Sequence, residues 1–270
     1  MNSFTILPAM LNTLPDLYAL HADPAEAAHL LDIYWGRVER GAADLSHTLI
    51  LYTERGVEGT VTFGPAPHPY VFPHLRANTP AHASTAFLLA LRHKLAATPE
   101  RQMVLDTSRA DVPVEPVLEA GWALDDTRLI YETDLTVCAF SNDPKLRPVE
   151  REQPDVQAVL AELGRSDLTL REGWALHGLY ADDELLALGA FGSSGRPGTV
   201  REAGIDMIGV RPAYRGQTLG QRLHSYLLAT ASASYERHMG GTSADNHAMR
   251  RVFEHSGSVH TGTQFYFKQP

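Results

Sequence analysis

The most informative stretch of the sequence is Val210-Arg211-Pro212-Ala213-Tyr214-Arg215-Gly216-Gln217-Thr218-Leu219-Gly220. It lies between a strand-like segment and an amphipathic, helix-like segment. Backbone N–H groups in such a turn have no intrahelical partners and converge at the positive end of the helix dipole. Gly216 and Gly220 let the backbone approach a ligand without an intervening side chain. The stretch therefore predicts an anion cradle suited to a pyrophosphate, without the Gly-Lys-Ser/Thr ending of a nucleotide P-loop.

The segments around this stretch alternate between strand and helix patterns. We expect a strand over 201–210 with two faces, one carrying Ala203, Ile205 and Met207 and the other Glu202, Gly204, Asp206 and Ile208. A helix over 219–235 follows, with an apolar stripe. Strands are also predicted over 146–149, 174–180, 185–191 and 263–268, and further helices over 154–163 and 245–255. The polar turn 181–184 joins two of these strands, and the glycine-rich run 192–198 is expected to be a flexible loop.

These motifs together resemble the GNAT N-acetyltransferase superfamily. Its coenzyme-binding pattern is Arg/Gln-x-x-Gly-x-Gly/Ala after a strand that ends in Val-x-Pro. Arg215 and Gly220 match its first and last positions, whereas Thr218 stands where the family usually has glycine. The segments 146–148 and 245–257 resemble the family's opening strand and its closing, asparagine-containing helix with a glycine turn. The resemblance implies an α/β (α+β) fold, in which a mixed, mostly antiparallel sheet is flanked by helices.

A weak internal repeat indicates two such domains. Residues 127–131 resemble residues 263–267, at an offset of 263 − 127 = 136, and 119–121 align with 255–257 at the same offset. Chance similarity between strand-forming segments is the alternative. The turn formers at 141–144 indicate a linker, so we expect a GNAT-like domain over 1–140 and an acyltransferase domain over 141–270. The equivalent first-half segment, 76–84, has no glycine, which predicts a degenerate copy without the coenzyme.

The resemblance implies acetyl-coenzyme A as co-substrate and a set of coenzyme contacts. These are Ile208, Gly209, Val210, Arg215, Gly216, Gln217, Thr218, Leu219, Gly220, Asn246 and Phe253. Asn246 matches the asparagine that commonly binds the coenzyme arm, although helix capping alone would also explain it. Phe253 occupies the position where the family often has a tyrosine that protonates the departing thiolate. A backbone N–H near 208–210 is expected to hold the oxyanion.

The implied reaction is the attack of a primary amine on a thioester. An alkylammonium has a pKa of about 10, so a base must remove its proton. Asp206 is the first candidate and Glu202 the second; a solvated polar strand face is the alternative for both. Tyr266 is the candidate acid in place of Phe253; the alternatives are another group or a thiolate that leaves unprotonated. Two other functions stay open: a non-catalytic acyl-coenzyme A-binding or sensing protein, and an unrelated α/β protein with a chance phosphate loop.

The charge and composition of the chain restrict the classes of partner that it is expected to bind. The net charge of the chain is −9. Residues 1–140 include 9 basic and 17 acidic residues, a net charge of −8, whereas residues 141–270 include 14 basic and 15 acidic residues, a net charge of −1. An acidic first half argues against nucleic acid and favours a cationic amine as the acceptor; the alternative is that the charge only keeps the surface soluble. The thirteen histidines include no H-E-x-x-H motif, so no metal is expected. The single cysteine, Cys138, and the absence of a signal peptide or membrane span predict a cytoplasmic protein.

Overall fold

The computed structural model describes residues 3–64, 69–107, 113–137, 145–194 and 201–270. Three features predicted from the sequence lie outside these residues: Cys138, the linker at 141–144, and residues 195–198 of the glycine-rich run. Two compact units are present: Met1–Arg128 together with Gly262–Pro270, and Leu129–Thr261. None of the helices in the described part of the chain combines the length and apolarity needed to cross a bilayer.

The first unit contains a small antiparallel sheet and three α-helices. Its elements are β1 (Phe4–Leu7), a 3-10 helix (Leu11–Tyr18), α1 (Pro24–Glu39), β2 (Thr48–Thr53), β3 (Gly56–Thr62), β4 (Tyr70–Val71), β5 (His74–Leu75), α2 (Ala81–Lys94), β6 (Gln102–Asp106), α3 (Glu115–Glu119) and the start of β7 (Ala123–Asp134). The strand order of the small sheet is β1-β2-β3-β5. The side chains of Phe87, Leu88 and Leu91 on α2 are fully buried in the main core of this unit.

The second unit begins with an antiparallel meander. Its elements are the end of β7, β8 (Leu146–Pro148), α4 (Pro154–Glu162), β9 (Ala175–Ala181), β10 (Glu184–Ser193), β11 (Glu202–Val210), a 3-10 helix (Pro212–Tyr214), α5 (Leu219–Ala231), β12 (Arg237–Ser243), α6 (His247–His255) and the start of β13 (Val259–Lys268). Strands β8 to β11 pair antiparallel in sequence order, whereas β12 pairs parallel to β11. Helix α5 provides the crossover that a parallel pair requires.

Helices α4 and α5 pack on this sheet and form two separate hydrophobic cores with it. One core contains Val156, Val159 and Leu160 of α4, and another contains Leu223 and Leu227 of α5. The predicted α/β architecture, with sheets flanked by helices, is therefore confirmed. The predicted boundary after residue 140 differs from the observed units, because the end of β13 pairs with β6 and so places Gly262–Pro270 in the first unit.

The predicted alternation along β11 is wrong beyond Ile205. The register with β10 shifts there, since Phe191 faces Ile205 while the neighbouring Ala190 faces Met207. Asp206 is the extra residue of this β-bulge, which reverses the facing of the residues that follow. Met207 consequently packs in the core of α4, whereas Ala203 packs against Leu228 of α5.

Candidate functional site: a cleft between two separating strands

A cleft opens where β11 and β12 part. Their parallel pairing covers only Glu202 to Gly204, opposite Arg237 to Met239. Beyond this point the β11 edge that faces β12 has no strand partner among the described residues. The cleft has a volume of about 750 Å³, and it is lined by residues of β11, the following loop, and the first turns of α5 and α6. Unpaired strand backbone therefore lies beside the starts of two helices.

The loop before α5 has the left-handed conformations that a tight strand-to-helix turn needs. Gly216 has φ +78° and Thr218 has φ +60°. A β-branched residue rarely adopts a positive φ, which explains why glycine is the usual residue at the Thr218 position. The Thr218 hydroxyl donates to the carbonyl of Gln217 at 2.6 Å and does not cap the helix. The N–H groups of the first turn, which also carries no acidic residue, remain available to a ligand.

Gly220 leaves open space at the floor of this cradle. A Cβ atom at this position would meet only Cγ2 of Val210, at 3.6 Å, which is ordinary van der Waals contact. The protein's own packing therefore does not require glycine here. A ligand that sits close to the helix backbone would require it.

The charge of the cleft is opposite to that of the chain. Three arginines, Arg165, Arg215 and Arg251, line it, and no carboxylate does so among the lining residues in the described segments. The chain as a whole carries a net charge of −9. Together with the positive end of the α5 dipole, these cations make the cleft a site for a polyanion.

An ion-pair network anchors the start of the loop. Arg211 binds Glu162 through Nε and Nη2 at 2.9 and 2.8 Å, and Glu184 through Nη1 at 2.6 Å. Tyr214 also donates to Glu184, at 2.6 Å. The hydrogen bond from Arg211 lowers the pKa of Glu162, and the hydrogen bond to Glu184 raises the pKa of Tyr214. The loop is thereby fixed to α4 and to the β9–β10 hairpin.

Asn246 lies at the other side of the cleft and caps α6. Its Oδ1 accepts the N–H of Met249 at 3.1 Å, so the capping role considered from the sequence is present. Asn246 also lines the cleft, and the cap bond uses only its oxygen, which leaves the amide N–H groups as possible donors to a ligand. Capping and ligand binding are compatible in this residue.

Comparison with known proteins identifies this architecture. Residues 138–257 match the model of the acetyltransferase (GNAT) family. This match covers most of the second half of the chain, which is therefore similar to a GNAT domain. No match to the chain was found among curated protein sequences.

Solved structures share the fold over nearly the whole chain. A GCN5-related N-acetyltransferase from Sphaerobacter thermophilus has a TM-score of 0.62 and 11% identity, over 99% of this chain and 96% of that chain. A tandem GNAT protein from the clavulanic acid biosynthesis pathway has a TM-score of 0.54 and 16% identity, over 98% of both chains. An acetyltransferase of the GNAT family from Colwellia psychrerythraea has a TM-score of 0.54 and 16% identity, over 98% of this chain and 100% of that chain. At such identities the likeness concerns the fold alone.

The GNAT cleft brings together nine of the eleven predicted coenzyme contacts. These are Ile208, Gly209, Val210, Arg215, Gly216, Thr218, Leu219, Gly220 and Asn246. Gln217 belongs to the loop but is not among the lining residues. Phe253 lies elsewhere: its ring is 3% exposed, stacks on Tyr131 at 4.5 Å and meets the edge of His224 at 5.3 Å. It is buried because the apolar side of α6 packs onto the sheet.

The three predicted catalytic residues occupy different surroundings. Asp206 is exposed at the bulge, directly before the cleft-lining Met207. Glu202 is 7% exposed and bound to Arg237 and Ser194, both at 2.6 Å, so it neutralises a cation inside the sheet. Tyr266 belongs to the first unit, where it donates to Gln264 at 3.0 Å. The guanidinium of Arg128 lies 4.6 Å from its ring centroid, and burial raises the pKa of its hydroxyl.

Sequence reasoning missed two cationic residues of the cleft, Arg165 and Arg251. Arg165 follows α4, and Arg251 lies on α6 after the cap Asn246. The signal for Arg251 was present, since the adjacent Arg250 and Arg251 give a short helix two positive charges. The signal for Arg165 was absent, because only the packing of α4 places it beside the loop after β11.

Proposed function

We propose that the GNAT domain uses acetyl-coenzyme A to acetylate a primary amine of a small molecule or protein. One observation carries the proposal: the unpaired edge of β11 leads into a helix start surrounded by three arginines and no described carboxylate. A pyrophosphate needs converging N–H donors and positive charge, and the cleft offers both.

The residues present fit this coenzyme. The N–H groups of Leu219, Gly220 and Gln221 would hold the pyrophosphate, and Arg215 and Arg251 would offset its charge. The open space at Gly220 is the space that such a group requires. Asn246 would donate to the amide-bearing arm. The bound coenzyme would supply an acetyl group activated as a thioester.

The chain's own residues would accept the proton of the amine and stabilise the negative charge that develops on the acyl oxygen. Asp206 is exposed and next to the cleft, so we assign it the role of accepting the ammonium proton, directly or through water. The N–H groups of 208–210 would donate to the acyl oxygen where negative charge develops. Glu202 is not retained as a base, because its carboxylate already binds Arg237 and Ser194.

A second candidate is a non-catalytic acyl-coenzyme A-binding protein. Phe253 cannot donate a proton and is buried in a ring stack, and Tyr266 lies in the other unit. In this alternative the coenzyme site is the same and transfer is absent.

Two measurements separate these functions. At a hundred times its dissociation constant, acetyl-coenzyme A should add about 2.7 kcal/mol to the free energy of unfolding, which raises the melting temperature. Turnover is then measured with a panel of primary amines that includes cationic ones. We expect Asp206→Asn to lower kcat at least tenfold without changing coenzyme affinity. Stabilisation without turnover of any amine favours the binding protein, and the absence of stabilisation contradicts both functions.

We also propose that the first unit is a degenerate GNAT-like domain that does not bind the coenzyme. The full-length fold similarity to a tandem GNAT protein supports it, and so does the start of α2, where no described residue of 76–84 has a positive φ.

A further inference from the structure

The first unit contains a cavity that the GNAT reaction does not use. Its volume is about 830 Å³, larger than the coenzyme cleft. The 3-10 helix, α1, β3 and β4 contribute to its walls. No residue of 76–84, the segment equivalent to the coenzyme loop, is among its lining residues, so it is not a remnant of a coenzyme site.

Aromatic rings form much of the wall. Tyr34 and Tyr18 meet edge to face at 6.5 Å, and Tyr18 lies 6.1 Å from His21. His21 is in turn 5.6 Å from His74. A second pair, Tyr70 and Phe72, lines the same cavity with centroids 6.5 Å apart. Ring faces and edges at these spacings favour a flat, aromatic ligand.

The charged groups of the lining favour an anion. They comprise two arginines, Arg37 and Arg101, and one carboxylate, Asp44. This positive balance contrasts with the 9 basic and 17 acidic residues of 1–140. Arg101 is 4% exposed, and its Nη1 donates to the carbonyls of Phe63 and Gly64 at 2.8 and 2.9 Å. Asp44 accepts the N–H of Ser46 at 2.8 Å. The arginine is thus a fixed cation in the wall.

Two phenols add hydrogen-bond donors. Neither the Tyr18 nor the Tyr34 hydroxyl makes a hydrogen bond within the described residues, and Tyr34 is only 6% exposed. Burial raises the pKa of Tyr18 to about 12 and also raises that of Tyr34. The charge of Arg37 lowers both pKa values, and the charge of Asp44 adds to the increase at Tyr34. The phenols remain protonated at neutral pH, and a guanidinium lies near them. An acceptor with negative charge would satisfy all three groups.

We propose that this cavity of the first unit binds a small aromatic carboxylate, with its ring against the aromatic side chains of the wall and its carboxylate near Tyr18, Tyr34 and Arg37. The site is independent of acetyl transfer. It gives the first unit a ligand-binding role that does not need the coenzyme.

The test titrates the full chain with 2-naphthoate by calorimetry, in parallel with 2-naphthylmethylamine and decahydro-2-naphthoate. The amine reverses the charge, and the saturated acid removes the aromatic ring. We expect 2-naphthoate to bind with a dissociation constant of roughly 1 mM or below, as good small ligands of this size do, and the two analogues to bind at least about tenfold more weakly. No detectable 2-naphthoate binding at several times that concentration, or equal binding of either analogue, would overturn the proposal.

Variants locate the site. Arg37→Gln and Tyr34→Phe each remove one polar group without removing bulk, and each should weaken 2-naphthoate binding about tenfold. Arg40→Gln, at the C-cap of the same helix but outside the lining, is the matched control and should change nothing. Gly220→Asp should also leave 2-naphthoate binding intact, because the coenzyme cleft is a separate site. Loss of binding in Gly220→Asp, or unchanged binding in Arg37→Gln, would show that the ligand sits elsewhere.

Discussion

Helix α2 of the first unit and helix α5 of the second begin in contrasting ways. The loop before α5 contains two left-handed residues, Gly216 and Thr218, and it opens onto the cleft. The start of α2 follows Pro80, at φ −55°, and no residue described in 76–84 has a positive φ. Only the α5 loop therefore folds its backbone around an open space.

The charges beside the two helix starts also differ. Near α2 lies Glu58, whose carboxylate is fully buried. It binds Arg55 at 2.7 Å and the hydroxyl of Thr79 at 3.1 Å. A phosphate placed there would have to compete with a buried carboxylate for Arg55 and Arg76, whereas the described lining at α5 offers arginines without a carboxylate. A helix dipole alone therefore does not make a phosphate site; the loop conformation and the neighbouring charges must agree with it.

The largest effect is expected from a carboxylate at the α5 start. Gly220→Asp should weaken coenzyme A binding about a hundredfold or more, because two negative charges would meet at close range away from bulk water. The fold should persist, since a Cβ fits at this position. The matched variant in the first unit is Ala81→Asp, at the exposed first position of α2, and it should leave binding unchanged. Calorimetry checks both; normal coenzyme binding by Gly220→Asp would contradict the assignment of the cradle.

Acid should destabilise the second unit before the first. Burial lowers the pKa of His224 to about 4, and burial followed by the charge of His224 lowers that of His238 to about 3. The unfolded state, with a histidine pKa of about 6.5, binds protons that the folded state does not, so stability is complete above pH ~6.5 and falls as the pH drops from there toward 4. From pH 7.5 to 5.5 the two residues should together remove about 2–3 kcal/mol.

Urea titrations at the two pH values measure this loss, and hydrogen exchange assigns it to a unit. The described histidines of the first unit are all more exposed than His224 and His238. His224→Gln should roughly halve the pH dependence, whatever its effect on the stability itself. An unchanged pH dependence in that variant would remove His224 as its cause.

The arginine network before the loop should have a moderate effect. Arg211→Lys keeps the charge but cannot bind Glu162 and Glu184 in the same forked geometry. With the loop less fixed, we expect coenzyme affinity to fall about tenfold, a difference of about 1.4 kcal/mol. Arg55→Lys alters the arginine–glutamate contact of the first unit and serves as the control. Equal affinities in both variants would show that the network does not position the loop.

The smallest effect concerns the left-handed threonine. Thr218→Gly should raise the free energy of unfolding by about 1 kcal/mol, because a positive φ strains a β-branched residue and not glycine. Thr169→Gly, at an exposed position without a positive φ, should instead lower it by up to about 1 kcal/mol. Denaturant unfolding measures both, and the same sign for the two variants would contradict the strain argument.

Local sequence predicted most of the residues that line the cleft beside α5. The segment from Val210 to Gly220 is continuous, and its glycines, its apolar stripe and Asn246 carry local conformational preferences. Nine predicted contacts consequently lie along one cleft. Phe253 is not among the described lining residues, because position along a helix does not say which face packs inward, and its ring packs on Tyr131.

What the sequence by itself determined was the order of strands and helices, the conformation of the loop before α5 and the GNAT resemblance, since all of these depend on neighbours along the chain. Only the tertiary structure decided the bulge at Asp206, the ion pair that occupies Glu202, the place of Tyr266 in the first unit, and the aromatic cavity around Tyr18 and Tyr34. Each of these depends on which distant segments pack together, and local preferences do not encode a contact between residues far apart in the chain.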